Sequence, residues 1–372
     1  MKKILFLTGT RADFGKLKPL IQVVSHAPGF EYLIAATGMH LDDRYGRTEG
    51  EISKSGFTHL VSFPNSGPDY AMDLTLARTV TGLSPILKSF KPDLLVVHGD
   101  RVEALAGSIT GTLNNSLVAH IEGGEFSGTV DELMRHAITK LSHVHFVANN
   151  AAYNVLLQLG ESPDSIFTIG SPEVDLMLGT SLPDLRSVKE YYGIPFGNYA
   201  LLAFHPVTTE QQSLQQQIDA LMEAVEQSGD NFVAVYPNND HGSNIILNTL
   251  LQHRNSPRLR VIPSIRFEAF QTLLKNALYI VGNSSSGVRE AGVHGTPAIN
   301  VGTRQSGRNS TAQILNTSGT TEDILLAMAD AKMRPRTPQL IFGDGQSAKR
   351  FLDCLLSENV WRTPLQKVFH RS

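Results

Sequence analysis

Leu94-Leu95-Val96-Val97-His98-Gly99-Asp100-Arg101 and Leu117-Val118-Ala119-His120-Ile121-Glu122-Gly123-Gly124-Glu125 decide the fold. Each opens as a short apolar run rich in strand formers, and each closes on a carboxylate. The carboxyl ends of parallel strands face the crevice where α/β proteins bind ligands, so Asp100 and Glu122 are expected in a site. Carboxylates placed there can take protons and stabilise cationic transition states. Asp131, in Asp131-Glu132-Leu133-Met134-Arg135, is the third acid of the set. An aspartate that starts a helix is also an ordinary cap.

Further runs of the same kind flank these two. In the first half, strands are expected at Ile4–Leu7, Tyr32–Ala36, Leu94–Val97, Leu117–Ile121, Val144–Val147 and Ile166–Ile169. In the second half they are expected at Tyr199–Phe204, Phe232–Tyr236, Arg258–Ile262, Tyr279–Val281 and Ala298–Val301. Helical patterns such as Leu17–Val24, Glu132–Leu141 and Ser213–Glu226 lie between them. Strand–helix alternation implies parallel sheets wound on both faces. The alternation runs twice, with a break near Gly170-Ser171-Pro172 and the stretch Pro183–Pro195. The fold class is therefore α/β, with two Rossmann-like domains and a cleft between them. The expected boundaries are 1–172 for the first domain, 173–355 for the second, and 356–372 for a C-terminal helix packing back on the first. The segment Ser347–Gln366 has a helical pattern.

Bulk properties narrow the function. A chain of 372 residues favours two domains over one core. With 41% hydrophobic and 18% charged residues it is of the globular, soluble class. A net charge of -3 provides no field for nucleic-acid binding. The one cysteine, Cys354, excludes an internal disulfide and fits a reducing cytoplasm. The apolar run after Met1-Lys2-Lys3 ends at Thr8-Gly9-Thr10-Arg11, which suits a first buried strand better than a signal peptide. No stretch is long enough to span a bilayer, and no His/Cys pair has metal-ligand spacing.

The polar signatures cluster at strand ends. Asn283-Ser284-Ser285-Ser286-Gly287-Val288-Arg289-Glu290 follows a strand and opens a helix. Small residues let a backbone approach an anion, and the first helical N–H groups point at it. Glu290 could accept from ribose hydroxyls; a serine cap completed by Glu290 is the ordinary alternative. Arg11 and Lys16 follow the first strand, Arg304 follows the strand after the serine loop, and His205 closes another. Several cations suit a diphosphate, and arginine grips it bidentately. Gly9–Lys16 is neither a Walker A loop nor a G-x-G-x-x-G fingerprint, which argues against an ATPase or a dinucleotide dehydrogenase. His98 and His120 lie in apolar strands and are expected to be core histidines; His40 is ambiguous.

Taken in order, Gly9-Thr10-Arg11-Ala12-Asp13, His98-Gly99-Asp100-Arg101, His120-Ile121-Glu122-Gly123-Gly124-Glu125, Phe204-His205-Pro206-Val207-Thr208-Thr209, Gly282-Asn283-Ser284-Ser285 and Gly302-Thr303-Arg304-Gln305 resemble the hydrolysing UDP-N-acetylglucosamine 2-epimerases. The resemblance runs from Met1 to about Arg308. It implies the glycosyltransferase-B arrangement of two Rossmann-like domains, with the nucleotide mainly on the second. It also implies a reaction. UDP is eliminated from UDP-GlcNAc across C1 and C2 to give 2-acetamidoglucal, and water then adds to release N-acetylmannosamine, with no cofactor. Non-hydrolysing relatives have His-x-Glu-Ala-Gly where this chain has His120-Ile121-Glu122-Gly123-Gly124. They have His-Arg-Arg-Glu-Asn where it has His205-Pro206-Val207-Thr208-Thr209. Both departures favour the hydrolysing branch.

By that resemblance Asp100, Glu122 and Asp131 are the catalytic carboxylates. Glu122 and Asp131 would handle protons and water, and Asp100 would position the sugar. His205 would contact the diphosphate or act as an acid–base group. Arg11, Arg101, Asn238, Ser284, Ser285, Glu290 and Arg304 map to nucleotide contacts, and Ser264–Phe267 to uracil; Lys16 is expected on the diphosphate from its place after the first strand. Gly15 stands where family members carry a Ser or Thr. The resemblance also implies a homo-oligomer, dimer or tetramer, located in the cytoplasm. Two alternatives stay open. One is a hydrolysing 2-epimerase acting on UDP-2,4-diacetamido-2,4,6-trideoxyglucose in legionaminic acid synthesis. The other is a transferase of the same architecture, for which no basic or apolar acceptor patch is visible.

Overall fold

The computed structural model describes residues 1–43, 47–67, 71–126, 130–179, 182–207, 210–237, 242–305 and 313–370. The chain divides into two units: Met1–Asp175 with Phe342–Ser372, and Leu176–Ile341.

The first unit holds β1 (Lys2–Thr8), β2 (Phe30–Ala36), β3 (Leu60–Ser62), β4 (Leu94–His98), β5 (Leu117–Ile121), β6 (Val144–Val147) and β7 (Ile166–Thr168). They form one parallel sheet in the order β3-β2-β1-β4-β5-β6-β7. Side chains alternate between its faces. Ile4, Phe6, Val96, Ala119 and Phe146 pack on Leu17, Leu20 and Ile21 of the helix Arg11–His26. Leu5, Leu7, Leu95, Val97 and Val118 pack on Leu83, Leu87 and Ile138 on the other face. Because both faces are covered, the central strands are apolar throughout, which is why they could be read as uninterrupted runs.

The second unit repeats the plan. Its strands are β8 (Ala200–Ala203), β9 (Phe232–Val235), β10 (Leu259–Ile262), β11 (Ile280–Gly282), β12 (Ala298–Val301) and β13 (Ile314–Thr317). They form a parallel sheet in the order β10-β9-β8-β11-β12-β13. Each sheet reverses its winding at one point, between β1 and β4 in the first unit and between β8 and β11 in the second. Ligand sites in doubly wound sheets form outside the strand ends at that switch point. The class is the expected one: two Rossmann-like α/β units.

The edges and the carboxyl terminus differ from expectation. β3 and β13 form no apolar run, because as short edge strands they are at best half-buried. The segment 342–355, expected in the second domain, lies in the first unit. The helix Ser347–Leu356 buries Phe351 and Leu355 in the core that holds helix Arg11–His26. Its start is capped across the unit's chain by Asp175, which accepts from the Ser347 and Ala348 N–H groups at 2.9 and 2.7 Å. The helix stops at Leu356, short of the expected Gln366, and Val360–Arg362 forms a 3-10 turn.

Candidate active site

Glu122 follows the last residue of β5 and adopts a left-handed backbone with φ 63°. That conformation costs a non-glycine residue about 1–3 kcal/mol and persists only where the surroundings over-determine it. Here they do. The Glu122 N–H donates to the Phe146 carbonyl at 2.9 Å, and the Glu122 carbonyl accepts from Arg135 Nη1 at 2.9 Å. Oε1 accepts a short hydrogen bond from the Ser171 hydroxyl. Oε2 lies 3.1 Å from His98 Nε2 and 3.6 Å from Lys16 Nζ. The residue is 2% exposed.

His98, at the end of β4, is held from both sides. Its Nδ1 is 2.9 Å from Asp13 Oδ1, in the first turn of helix Arg11–His26. Burial alone would lower the imidazole pKa, but Asp13 and Glu122 outweigh it and raise it to about 9. Lys16, one turn further along that helix, pairs with Glu173 at 2.7 Å as well as with Glu122. The switch point between β1 and β4 thus gathers Asp13, Lys16, His98, Glu122, Ser171 and Glu173.

Asp100 sits one turn of chain beyond His98. Burial would raise its carboxyl, but the Arg135 guanidinium, with Arg101 and His98, holds it below the usual carboxylate range. Arg135 donates a short bond to Asp100 and lies 3.5 Å from Glu125. Arg135 belongs to the helix Val130–Leu141, whose first turn carries the half-buried Asp131. Helical spacing of four residues puts Asp131 and Arg135 on one face. Arg101, largely exposed, lies 3.9 Å from Glu103 and feels Asp100 and Asp131 electrostatically.

In the second unit Asn283 ties the switch-point ends together. Its side chain accepts from the His205 N–H at 2.7 Å and donates to the His205 carbonyl at 2.8 Å. Its own carbonyl accepts from Arg304 at 3.1 Å and Gln305 at 2.7 Å. Gly282 makes this closeness possible: at φ 135°, a Cβ there would sit 2.1 Å from the Ala203 carbonyl oxygen. Ser284 caps the short helix Ser285–Val288 by accepting from the Ser286 N–H at 3.3 Å. Burial, with help from Arg304, lowers the half-buried His205 imidazole to about 3.

The structure therefore places the expected residues as follows. Asp100 and Glu122 meet through Arg135, and Asp131 lies one turn before Arg135 on the same helix, within electrostatic reach of Arg101. His205, Ser284, Ser285 and Arg304 gather at the second switch point. Lys16, expected on the nucleotide, instead sits among the first unit's carboxylates. Arg11 pairs with Glu51 at 2.8 Å. Glu290 accepts from Ser286 at 3.1 Å and from Gln271. Asn238 lies outside the described residues. His120 is a core histidine, 2.8 Å from the Gly99 carbonyl and 3.0 Å from Thr139 Oγ1, and burial lowers it to about 3. His40 is buried between Thr8 and Thr48. His98, expected to be equally bland, bridges two carboxylates. Asp13, Ser171, Glu173 and Arg135 were not singled out. Only Arg135, spaced four from Asp131, carried a local signal. Among the described residues no group of three or more His, Cys, Asp or Glu could hold a metal, and no helix is long and apolar enough to cross a membrane.

Residues 22–356 match the family described as UDP-N-acetylglucosamine 2-epimerase. A protein of that name from Neisseria meningitidis is 44% identical over 99% of both chains. A Legionella pneumophila protein named UDP-N,N'-diacetylbacillosamine 2-epimerase (hydrolyzing) is 32% identical over 94% of both. Among solved structures, Methanocaldococcus jannaschii UDP-GlcNAc 2-epimerase in complex with UDP-GlcNAc and UDP superposes with a TM-score of 0.82 at 20% identity. That match covers 96% of this chain and 99% of that one, and shows the shared fold.

Proposed function

The chain belongs to the UDP-N-acetylglucosamine 2-epimerase family and is an enzyme of it, and from that premise we propose that it is a hydrolysing member, converting UDP-GlcNAc and water to N-acetylmannosamine and UDP. The C2 proton has no adjacent carbonyl and is poorly acidic. Departure of UDP builds positive charge at C1, after which that proton becomes removable. Carboxylates beside C1 and C2 stabilise the cationic state, and one of them takes the proton. Asp100, Glu122 and Asp131 supply these groups. Glu122 and Asp131 act on protons and water, and Asp100 orients the sugar. Ser284, Ser285, Arg304 and His205 of the second unit bind the diphosphate. With His205 held neutral, its imidazole donates a hydrogen bond rather than a charge.

The observation that carries the hydrolysing reading is Gly123. Non-hydrolysing relatives place alanine at this point of the motif. Here a Cβ on residue 123 would stand 2.9 Å from His120 Nδ1 and 3.0 Å from Thr139 Oγ1, closer than the buried His120–Thr139 pair tolerates. The wall behind Glu122 is thus built for glycine. Chromatography of a UDP-GlcNAc digest tests the reading. Free UDP and free N-acetylmannosamine in equal amounts support it; UDP-N-acetylmannosamine without UDP release contradicts it.

The name of the Legionella relative favours a second substrate, the 4-acetamido-4,6-dideoxy analogue of UDP-GlcNAc. The carboxylate chemistry at C1 and C2 is the same for both. Side-by-side kcat/KM values assign the sugar.

A further inference from the structure

We infer that His98 is a positioning residue charged at neutral pH, an imidazolium that holds Glu122 as an ionised and oriented carboxylate, with Asp13 as its counter-anion. The inference rests on the reading of Glu122 as a reacting carboxylate.

Both ring nitrogens of His98 lie close to carboxylate oxygens, 2.9 Å to Asp13 and 3.1 Å to Glu122. A neutral imidazole has one N–H and one lone pair, so it would aim a lone pair at one of two anions. An imidazolium carries a proton on each nitrogen: Nε2–H donates to Glu122 Oε2, and the Nδ1 side faces Asp13 Oδ1 as an ion pair outside hydrogen-bond alignment. Helix Arg11–His26 contributes Asp13 and Lys16, the end of β5 contributes Glu122, and the helix Pro172–Leu178 contributes Glu173. Glu122 and Glu173 have side chains 3% and 1% exposed, and that of Asp13 is 11% exposed. Lys16 pairs with Glu122 and Glu173, and Asp13 lies against His98, so a charged imidazole offsets carboxylate charge that is costly in a dry interior. A second cation at His98 brings the group near balance. Of the further charged neighbours, Arg135 pairs with Asp100 and lies 3.5 Å from Glu125, and the largely exposed Arg101 acts electrostatically on Asp100 and Asp13.

The Ser171 hydroxyl fixes one Glu122 oxygen and the imidazolium fixes the other, over a backbone in a sparsely populated conformation. Loss of the imidazolium proton weakens the hold on Oε2, with Lys16 Nζ still 3.6 Å away, and lets the carboxylate shift. Misplacement of a reacting group by about an ångström is worth about 100-fold in rate.

The test is ¹⁵N NMR of the full-length protein labelled at histidine, with His98→Asn assigning the signal by its loss. His98 is expected to show two protonated nitrogens at pH 7.5 and to titrate near pH 9, the value that Asp13 and Glu122 set against burial. In Asp13→Asn the titration moves down by about a unit or more. A neutral His98 ring at pH 7.5 overturns the inference. In turnover assays, His98→Asn is expected to lower kcat about 100-fold with KM within about threefold, and to abolish the fall in activity as pH rises through 9. An unchanged alkaline limb in that variant also overturns it. Should His98→Asn fail to fold, the wild-type signal that moves in both Asp13→Asn and Glu122→Gln identifies the ring, since His40 feels Asp13 but not Glu122. Should the wild type not turn over UDP-GlcNAc, the functional reading fails, while the NMR result still decides the charge of His98.

Discussion

The two units share one strand order and differ in what they place at the same topological point. In the first, the ends of β1 and β4 bring together carboxylates, and the histidine among them is raised to about 9. In the second, the ends of β8 and β11 bring together serines, amides and an arginine, and the histidine there is lowered to about 3. Topology chooses the location of a site, and neighbouring side chains choose its charge. The proposed function assigns proton-accepting chemistry to the first switch point and anion recognition to the second.

Breaking the first half of that contrast should have the largest effect. Glu122→Gln keeps the shape and removes the base, and kcat is expected to fall about 1,000-fold with substrate affinity retained. Steady-state kinetics with a UDP-release readout checks this. Arg135→Met tests the support beneath both acids. It strips Asp100 of its buried partner and the Glu122 carbonyl of its donor, and about 3–5 kcal/mol of stability should be lost in urea unfolding. Arg304→Met probes the second half. KM for the UDP-sugar should rise about tenfold while kcat changes little, the mark of lost uniform binding. The smallest effect is in pH. His98 is raised above its unfolded value near 6.5, so its contribution is full below 6.5 and is lost as pH rises through about 9. His205 is lowered, so its contribution is full above 6.5 and is lost as pH falls towards about 3. Hydrogen exchange resolved by region should loosen the first site in alkali and the second in acid, and His98→Asn and His205→Asn should each flatten one of these responses.

Much of the fold was legible because burial on both faces leaves an unmistakable run. Leu117–Ile121, Val144–Val147 and Ala298–Val301 are strands at the expected residues. β3 and β13 escaped notice because a half-exposed edge needs no apolar run. Within the candidate site, Asp100 and Glu122 stood out because acids closing apolar runs are costly unless used. Ser171 and Glu173 did not, since they come from a Gly-Ser-Pro stretch that reads as punctuation between domains. His98 misled for a related reason: a histidine in an apolar run looks like His120, and only the packing of helix Arg11–His26 over the sheet shows that one meets two carboxylates and the other a carbonyl and a threonine. Lys16 shows the same limit, because its helix position was clear and its direction was not.

The central claim is that carboxylates on the first unit remove and replace the C2 hydrogen while UDP leaves for good. Proton NMR of the sugar released from UDP-GlcNAc in heavy water tests it most directly. The account predicts N-acetylmannosamine carrying deuterium at C2, together with free UDP. N-acetylmannosamine with protium at C2, or a nucleotide-bound epimer as the accumulating product, would contradict it.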